Sequence, residues 1–301
     1  MFLQNAGLSR RRGCALLGIG RSSADYRPRH RAGEQSLLKR LRSIALKYPR
    51  YGYRRAWALL RRDGDPVNLK RVLRLWRKAG LTLKRRRRRK RIYGKRPSAP
   101  LRALYPRHVV TYDFVQDRTS DGRTLRILTV VDEFTREALA IAVGRRVKAW
   151  DVIRVLAKAF ARSGWPEYLR SDNGPEFIAT ALREWLEVRG VQTHYIDPGS
   201  PWQNAFGESF HDKLRMECLD FELFADEDEA QRRLQRWRKH YNEDRPHSSL
   251  EYLTPREFLE GWERSKGEFL LARPRLASLA GAEGGREGKT MVGIELERRL
   301  E

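Results

Sequence analysis

The sequence predicts a mixed α/β core preceded by a small all-α domain. Apolar side chains recur at helical spacing through residues 34–81, and short runs rich in Val, Ile and Thr replace them over 108–143. Beyond residue 143, strand-like and helix-like segments alternate. A chain of 301 residues is long enough for two or three domains, one of them with a sizeable hydrophobic core.

The amino-acid composition indicates which class of molecule the protein binds. The formal net charge is +25 and 40% of the residues are hydrophobic, so we expect a folded protein with a strongly basic surface. Such a surface favours binding to a polyanion. Nucleic acid is the most common polyanionic partner, and an anionic membrane surface is the alternative. No apolar stretch approaches the roughly 20 residues of a membrane-spanning helix and no signal-peptide hydrophobic region is present, which predicts a soluble, cytoplasmic protein. Cys14 and Cys218 lie too far apart in sequence to indicate a disulfide framework or a zinc site.

Residues 1–31 are predicted to form a short helical segment. Ser9 can cap a helix that Gly18 ends, and Ser22 can start a second helix. This arrangement resembles a helix-turn-helix but fits a plain packing hairpin equally well, so both interpretations stand.

Residues 32–83 are predicted to form a three-helix domain. Apolar residues at helical spacing mark three successive buried faces, which include Leu41, Leu60 and Val72. The polar faces are rich in Arg and Lys, which either lie along nucleic-acid phosphates or form an ordinary solvated surface. The cations of these faces are Arg54, Arg55, Arg61, Arg62, Lys70, Arg71, Arg74 and Arg77.

Residues 84–106 are predicted to be a basic linker. Every residue from Lys84 to Arg91 is Lys or Arg, and such a run repels itself too strongly to fold alone. We expect it to act also as an arm that follows phosphates. The cations expected to do so are Arg85, Arg86, Arg87 and Arg88.

Residues 107–265 are predicted to form the mixed-sheet core and its C-terminal helices. Three short strands come first, with a hairpin turn at Asp121-Gly122, and the whole order is βββαβαβα. That order implies antiparallel and parallel neighbours in one sheet, with helices on both faces. The predicted strands are 108–115, 125–131, 138–143, 168–171 and 191–196, and the predicted helices are 152–160, 177–188, 203–218, 226–241 and 255–263. Residues 266–301 show little periodicity, which predicts a disordered tail.

Two aspartates occupy notable positions in this core. Asp113 lies between two aromatic residues of an apolar strand, where a carboxylate is costly to bury unless it has a partner. Asp172 ends a strand and precedes Asn173-Gly174-Pro175, a turn into a helix. Ligands bind at strand ends in open α/β sheets, but an Asp in this position also suits an ordinary turn.

Glu208 is predicted on the polar face of a helix. Every fourth residue from Phe206 to Leu214 is apolar and marks the core side, from which Glu208 lies about 160° away at 100° per residue. Asn204 and Arg215 share the face of Glu208. Without a ligand, such a glutamate is an ordinary surface residue paired with basic neighbours.

The carboxylates suggest a metal site. Three of them suit Mg²⁺ or Mn²⁺, hard ions that take oxygen ligands and leave positions for water and phosphate. Two such ions would activate an attacking hydroxyl and stabilise the leaving oxygen of a phosphodiester displacement. The residues alone do not decide which carboxylates form the site, because Asp117, Asp132 and Glu176 are rivals.

Several motifs carry a family resemblance. The core contains TYDFV at 111–115, LTVVDEFTRE at 128–137, RSDNGPEF at 170–177, QNAFGESFHDKLRMECL at 203–219 and YNEDRPHSSLEYLTP at 241–255. Thirty-five residues separate Asp172 from Glu208. These motifs resemble the OrfB-type transposases of bacterial insertion sequences, a DD35E group whose core is similar to retroviral integrases and has the ribonuclease H-like fold. Upstream, RYGYRRAWALLRRDG and VNLKRVLRLWRKAGL resemble the helical DNA-binding region that precedes such a core.

The resemblance implies roles for single residues. Asp113, Asp172 and Glu208 match the metal-binding triad of the family, which leaves Asp132 as a strand-end residue. DNA contacts are implied for Arg215, Lys213 and Asn173, in addition to the cations of the helical domain and the linker.

One position departs from the family pattern. Gly207 stands where the family has a branched apolar residue. Because glycine loosens a helix by about 1 kcal/mol relative to alanine, we expect reduced activity.

The implied partners are double-stranded DNA, as the terminal repeats of an insertion sequence and as target, and further copies of the chain, since two DNA ends must meet. The family also implies an upstream reading frame that supplies a second helix-turn-helix by fusion, and a place on the bacterial nucleoid. The implied function is metal-dependent strand cleavage at the ends of the element and transfer of the freed 3′-hydroxyl to another phosphodiester.

Two other functions stay open, a hydrolytic nuclease of the same ribonuclease H-like fold and a non-catalytic DNA-binding regulator of transposition. A retroelement integrase is disfavoured, because the N-terminal region has no His/Cys zinc pattern. Strand transfer and hydrolysis both require a metal site formed by the carboxylates, whereas a DNA-binding regulator does not.

Overall fold

The computed structural model divides the chain into two units, Met1–Lys90 and Arg91–Glu301. The residues it describes are 9–24, 33–83, 101–172, 174, 179–196 and 201–272. The predicted basic arm with Arg85, Arg86, Arg87 and Arg88, the turn residue Asn173, the rival carboxylate Glu176 and residues 273–301 lie outside the described ranges. None of the helices in these ranges combines the length and the hydrophobicity needed to cross a membrane.

The first unit is helical. Its three longest helices enclose a common apolar core, as their spacing predicted. The connection between the last two helices is fixed by Trp57, whose indole N–H donates to the carbonyl of Val67 at 2.8 Å. Asn68 then caps the final helix by accepting from the N–H of Lys70 at 2.8 Å. The helices are α1 (Arg10–Leu16), α2 (Arg21–Ala24), α3 (Glu34–Lys47), α4 (Tyr53–Arg62) and α5 (Leu69–Lys78).

The second unit is built on a five-stranded sheet with the strand order β3-β2-β1-β4-β5. The strands are β1 (Val109–Arg118), β2 (Thr124–Asp132), β3 (Ala138–Gly144), β4 (Tyr168–Ser171) and β5 (Gln192–Tyr195). The first three strands are antiparallel neighbours, whereas β4 pairs in parallel with β1, and β5 in parallel with β4. Gly122, with φ of 81°, turns the chain between β1 and β2, where the hairpin was predicted. The mixed sheet confirms the predicted α/β class.

Helices cover both faces of this sheet. Because side chains alternate along a strand, Tyr112 of β1 packs with α6 and α7, while Val115 packs with α8 and α9 on the opposite face. Asp113, two residues before Val115, therefore faces the α8 side. The helices are α6 (Ala149–Ser163), α7 (Thr180–Glu187), α8 (Ala205–Leu214), α9 (Glu227–Glu243) and α10 (Pro255–Ala272).

The free edge of β3 is closed by polar side chains of α9. The amide of Asn242 accepts from the N–H of Ala138 at 2.9 Å and donates to its carbonyl at 3.0 Å. Gln231 accepts from the N–H of Val143 at 2.8 Å, and Gln235 donates to the carbonyl of Ile141 at 2.7 Å. These bonds satisfy backbone groups that an edge strand otherwise presents to another chain.

Two helices differ most from their predicted limits. The helix predicted over 203–218 is divided into a 3-10 turn (Pro201–Asn204), α8 and a π-helical turn (Arg215–Leu219). The apolar spacing did not predict the π turn. Within this turn Glu217 forms an ion pair with Arg245, and Cys218 packs in the apolar core, so its surroundings are set by distant residues. The final helix continues to residue 272, past the point at which the tail was predicted to begin.

Candidate active site

Asp113 lies in β1, and Asp172 directly follows the neighbouring strand β4. Thr111 of β1 is the register partner of Arg170 in the parallel strand β4. Asp113 comes two residues after Thr111, and Asp172 two residues after Arg170, just past the end of β4; since adjacent strands lie about 4.8 Å apart, the two aspartates lie near each other. The N–H of Gly174 donates to Oδ1 of Asp172 at 3.1 Å, which orients this exposed carboxylate.

Glu208 approaches the same face of the sheet from α8. This helix packs against β1, buries Phe210 and Leu214 and leaves Glu208 exposed, as the helical spacing predicted. The prediction that Phe206 belongs to the buried row was wrong. Phe206 is only half-buried, and its ring lies 4.0 Å from the guanidinium of Arg136. A cation–π contact thus replaces core packing at the start of the row.

The carboxylate of Asp113 is fixed by two hydrogen bonds. Its Oδ1 accepts from the N–H of Phe114 at 2.7 Å, and its Oδ2 accepts from Nδ2 of Asn204 at 2.9 Å. The carbonyl end of the Asn204 amide accepts from the hydroxyl of Thr111 at 3.1 Å. Because Thr111 and Asn204 are both buried, this chain of hydrogen bonds sets the direction of the carboxylate.

The electrostatics of Asp113 reflect its carboxylate neighbours. Burial, aided by the charges of Asp172 and Glu208, raises the pKa of Asp113 to about 6 despite the hydrogen bonds from Phe114 and Asn204. The charges of Asp172 and Glu208 thus act on Asp113, and among the described residues none of the three carboxylates is in an ion pair with Lys or Arg. A cation among them would relieve their repulsion.

His211 adds an acceptor beside Asp113. Its Nδ1 lies 3.8 Å from Oδ2 of Asp113. The hydroxyl of Thr129 donates to the backbone carbonyl of Asp113 at 3.1 Å, so its oxygen must accept from Nε2 of His211, 2.9 Å away. Burial and the charge of Arg215 lower the pKa of His211 to about 4, which keeps the ring neutral near pH 7. Nδ1 and the carboxylate therefore face each other as two acceptors, an arrangement that suits a shared water or cation.

The polar residues around Asp113 were not predicted from the sequence, although the strands contain a signal for them. Thr111 precedes Asp113 by two residues and shares its face, and Thr129 is its direct partner across β1 and β2. Two threonines beside an aspartate on a sheet face that is otherwise apolar mark a polar site.

The rival carboxylates have other environments. Asp132 is fully buried, and its oxygens accept from the N–H and guanidinium of Arg107 at 2.8 and 2.6 Å and from the N–H groups of Phe134 and Thr135 at 2.8 and 3.0 Å. Four donors leave it no role as an open ligand. Asp117 lies further along β1 and accepts from the N–H of Arg118 at 2.8 Å.

The residues predicted to contact DNA are found in both units. Next to the site, Arg215 donates to the carbonyl of Gln116 at 3.1 Å, and Nζ of Lys213 donates to the carbonyl and hydroxyl of Ser209 at 2.7 and 2.6 Å. In the helical unit, Arg54 and Arg55 of α4 lie 5.8 and 5.2 Å from the rings of Tyr53 and Tyr51. Lys70 and Arg71 lie in the first turn of α5.

Asp113, Asp172 and Glu208 are the side chains that could hold a divalent ion here. Within the described ranges, no three His, Cys, Asp or Glu side chains lie close enough together to hold a metal ion as they stand. An open set of carboxylates nevertheless fits Mg²⁺, which binds through few protein ligands and keeps several waters. The uncompensated charge around Asp113 is the feature that such an ion would satisfy.

Comparison with known proteins identifies the domains. Residues 104–201 and 189–255 match the family described as integrase core domain, and residues 32–90 match an HTH-like domain. The helix-turn-helix match therefore lies in the three-helix domain and not in residues 1–31.

Individual relatives cover most of the chain. A protein of insertion element IS407 from Burkholderia multivorans, described as uncharacterized, is 41% identical over 255 residues, which is 85% of this chain and 92% of that protein. The transposase InsD of insertion element IS2 from Escherichia coli is 31% identical over 254 residues, 77% of this chain and 81% of that protein. An intasome of simian T-cell lymphotropic virus, in complex with a PP2A regulatory subunit, has a TM-score of 0.47 and 14% identity, and the match covers 75% of this chain and 73% of that chain. On the strength of the domain matches and the insertion-element relatives, the chain belongs to the family of insertion-element transposases with an integrase core domain.

Proposed function

We propose that this transposase cuts DNA strands at the ends of its insertion sequence and joins them to target DNA, with Asp113, Asp172 and Glu208 as its metal ligands. The observation that supports the proposal is the placement of these three carboxylates in β1, directly after β4 and in α8, with two of the charges acting on the third. The charges of Asp172 and Glu208 both act on Asp113, and the described surroundings supply no Lys or Arg ion pair to compensate them.

The chain itself contributes ligand positioning. A pair of Mg²⁺ or Mn²⁺ ions, held by the three carboxylates, would supply Lewis-acid stabilisation of the attacking and leaving oxygens of a phosphodiester. Phe114 and Asn204 hold one oxygen each of Asp113, and Gly174 orients Asp172. These bonds hold two of the ligands in place before the ion binds, which reduces the entropy lost on binding.

The helical unit supports duplex DNA as the partner. Residues 33–83 contain fourteen Lys and Arg against three Asp and Glu. All three acids are already paired, Glu34 with Arg74, and Asp63 and Asp65 with Arg40. The remaining cations give the unit a positive field suited to phosphates. Since two ends of one element must be brought together, we also propose that at least two copies assemble on DNA.

A strand-transfer assay tests the proposal. The purified protein is incubated with Mg²⁺, a labelled duplex from the DNA that borders its gene, and a supercoiled target plasmid. Asp172→Asn and Glu208→Gln should each lose joined product while still binding the duplex, because they remove a metal ligand and leave the helical unit intact. Glu187→Gln, an exposed carboxylate change in α7, is the matched control and should join DNA normally.

Each product pattern has one meaning. Joined product that persists undiminished in Asp172→Asn would contradict the proposed ligands. Hydrolysed ends without any joined product would indicate a nuclease. If the wild-type protein gives no cleavage, and Asp172→Asn represses transposition in cells as well as the wild type does, the chain is a regulator.

A further inference from the structure

Gly207 lies directly against the side chain of Asn204. A Cβ atom built on Gly207 would lie 2.4 Å from Oδ1, 3.0 Å from Cγ and 3.1 Å from Nδ2 of Asn204. The first of these distances is shorter than any contact that real Cβ atoms make, so one of the two side chains would have to move. Gly207 is in α8 and is not among the glycines with positive φ, so its backbone suits any residue. Space, and not backbone conformation, requires glycine at this position.

Asn204 is not free to move away. It is buried at the start of α8, and both ends of its amide are bonded, Nδ2 to Asp113 and Oδ1 to the hydroxyl of Thr111. A side chain at position 207 would meet the amide itself, so the displacement would break both bonds. The carboxylate of Asp113 would then lose one of its two donors.

We propose that Gly207 is a positioning residue for Asp113: it keeps open the space through which Asn204 holds the carboxylate in place. This inference rests on the proposed function, because positioning matters only if Asp113 binds a metal ion. It also reverses the sequence-based expectation that Gly207 lowers activity by loosening the helix.

The test compares Gly207→Ala, Asn204→Ala and the double variant in the full chain. Mn²⁺ affinity is measured by the EPR signal of free Mn²⁺, and the melting temperature is measured without metal. Gly207→Ala should weaken Mn²⁺ binding about tenfold, as loss of a group that supports a metal ligand does. It should also lower the melting temperature by roughly 5 °C, because the site is overpacked.

The double variant separates positioning from general damage. Once Asn204→Ala has removed the amide, adding Gly207→Ala should weaken Mn²⁺ binding no further, and it should raise the melting temperature because alanine is the better helix former. Gly261→Ala is the matched control: Gly261 is a helical glycine of α10 with open space around it. It should stabilise the protein slightly and leave Mn²⁺ binding unchanged.

Three results would overturn the inference or its basis. Unchanged Mn²⁺ affinity in Gly207→Ala, or additive losses in the double variant, would show that Gly207 does not act through Asn204. Asp113→Asn serves as the separate check. If it binds Mn²⁺ as tightly as the wild type, the proposed function itself fails, whether or not Gly207 and Asn204 are coupled in melting.

Discussion

Arg245 donates two hydrogen bonds of 2.6 Å to the carboxylate of Glu217, and both side chains are almost fully buried. The pair joins the segment after α9 to the π-helical turn that follows α8. Arg245→Met would remove the guanidinium that donates twice to the buried Glu217 carboxylate, so we expect a loss of about 3–5 kcal/mol in the free energy of unfolding, measured by urea denaturation. Adding Glu217→Leu to this variant should recover most of the loss.

An exposed pair provides the control for this prediction. Arg256 lies 2.9 Å from Glu243, and its side chain is 61% exposed. Arg256→Met should therefore cost less than about 1 kcal/mol. Equal effects of the two Arg→Met changes would contradict a special role for the buried pair.

Asp132 and Asp172 should respond in opposite ways to the same change. Asp132→Asn removes the charge that faces Arg107 inside the protein, and we expect it to cost about 3–5 kcal/mol of unfolding free energy. The side chain of Asp172 is exposed, so Asp172→Asn should change the free energy of unfolding by no more than about 0.5 kcal/mol. Mn²⁺ titration of the folded proteins should show the reverse order, with binding lost in Asp172→Asn and kept in Asp132→Asn.

Much of the fold follows from local pattern. Short runs rich in Val, Ile and Thr located β1, β2 and β3, the succession of strand-like and helix-like segments located β4 and β5, and helical spacing located the helices that cover them. The same reasoning placed Asp113 inside a strand, Asp172 at a strand end and Glu208 on an exposed helix face. Each of these statements depends only on the period of a single element.

The remainder depends on contacts between distant segments. Neither the bonds from Asn204 to Asp113 and from His211 to Thr129 nor the burial of Asp132 by Arg107 has a periodic signal in the sequence. Gly207 shows the limit most clearly: helix propensity marks it as a weakness, and only the position of the Asn204 amide explains it. Propensity describes one residue in one helix, whereas the steric requirement at 207 involves a second side chain.

Mn²⁺ binding should depend on pH near the raised pKa of Asp113. A metal ion binds the ionised carboxylate, and because that pKa is raised to about 6, protons compete with the ion below this pH. We expect a constant affinity above pH 7 and a fall of about tenfold per unit below pH 6, measured by calorimetry. Asn204→Ala should move the midpoint to higher pH, since the hydrogen bond from Asn204 lowers the pKa. An affinity that stays constant down to pH 5 would contradict the assignment of Asp113 as a ligand.

The hydrogen bonds that side chains of α9 form with the edge of β3 should stabilise the protein. Asn242→Ala leaves the buried N–H of Ala138 without its acceptor and the carbonyl of Ala138 with only the 3.2 Å bond from Arg238, which should cost about 1–3 kcal/mol of unfolding free energy. Asn242→Asp keeps an acceptor for the N–H but has no donor for the carbonyl, so it should not restore stability. Lys239→Ala, an exposed change on the same helix, is the control and should be nearly neutral.

DNA affinity should depend on salt through the helical unit. Lys70 is exposed in the first turn of α5, whose opposite face is buried by Val72 and Trp76, so its charge is available to a phosphate. Lys70→Gln should lower the slope of log affinity against log salt by about 0.9, the value for one lost phosphate contact, and it should do so on any duplex sequence. Lys239→Gln removes the same charge from α9 in the other unit, where Glu243 lies 4.0 Å away, and should leave the slope unchanged. Fluorescence anisotropy between about 50 and 200 mM salt distinguishes the two variants. Equal slopes for Lys70→Gln and the wild type would place the DNA on another face of the helical unit.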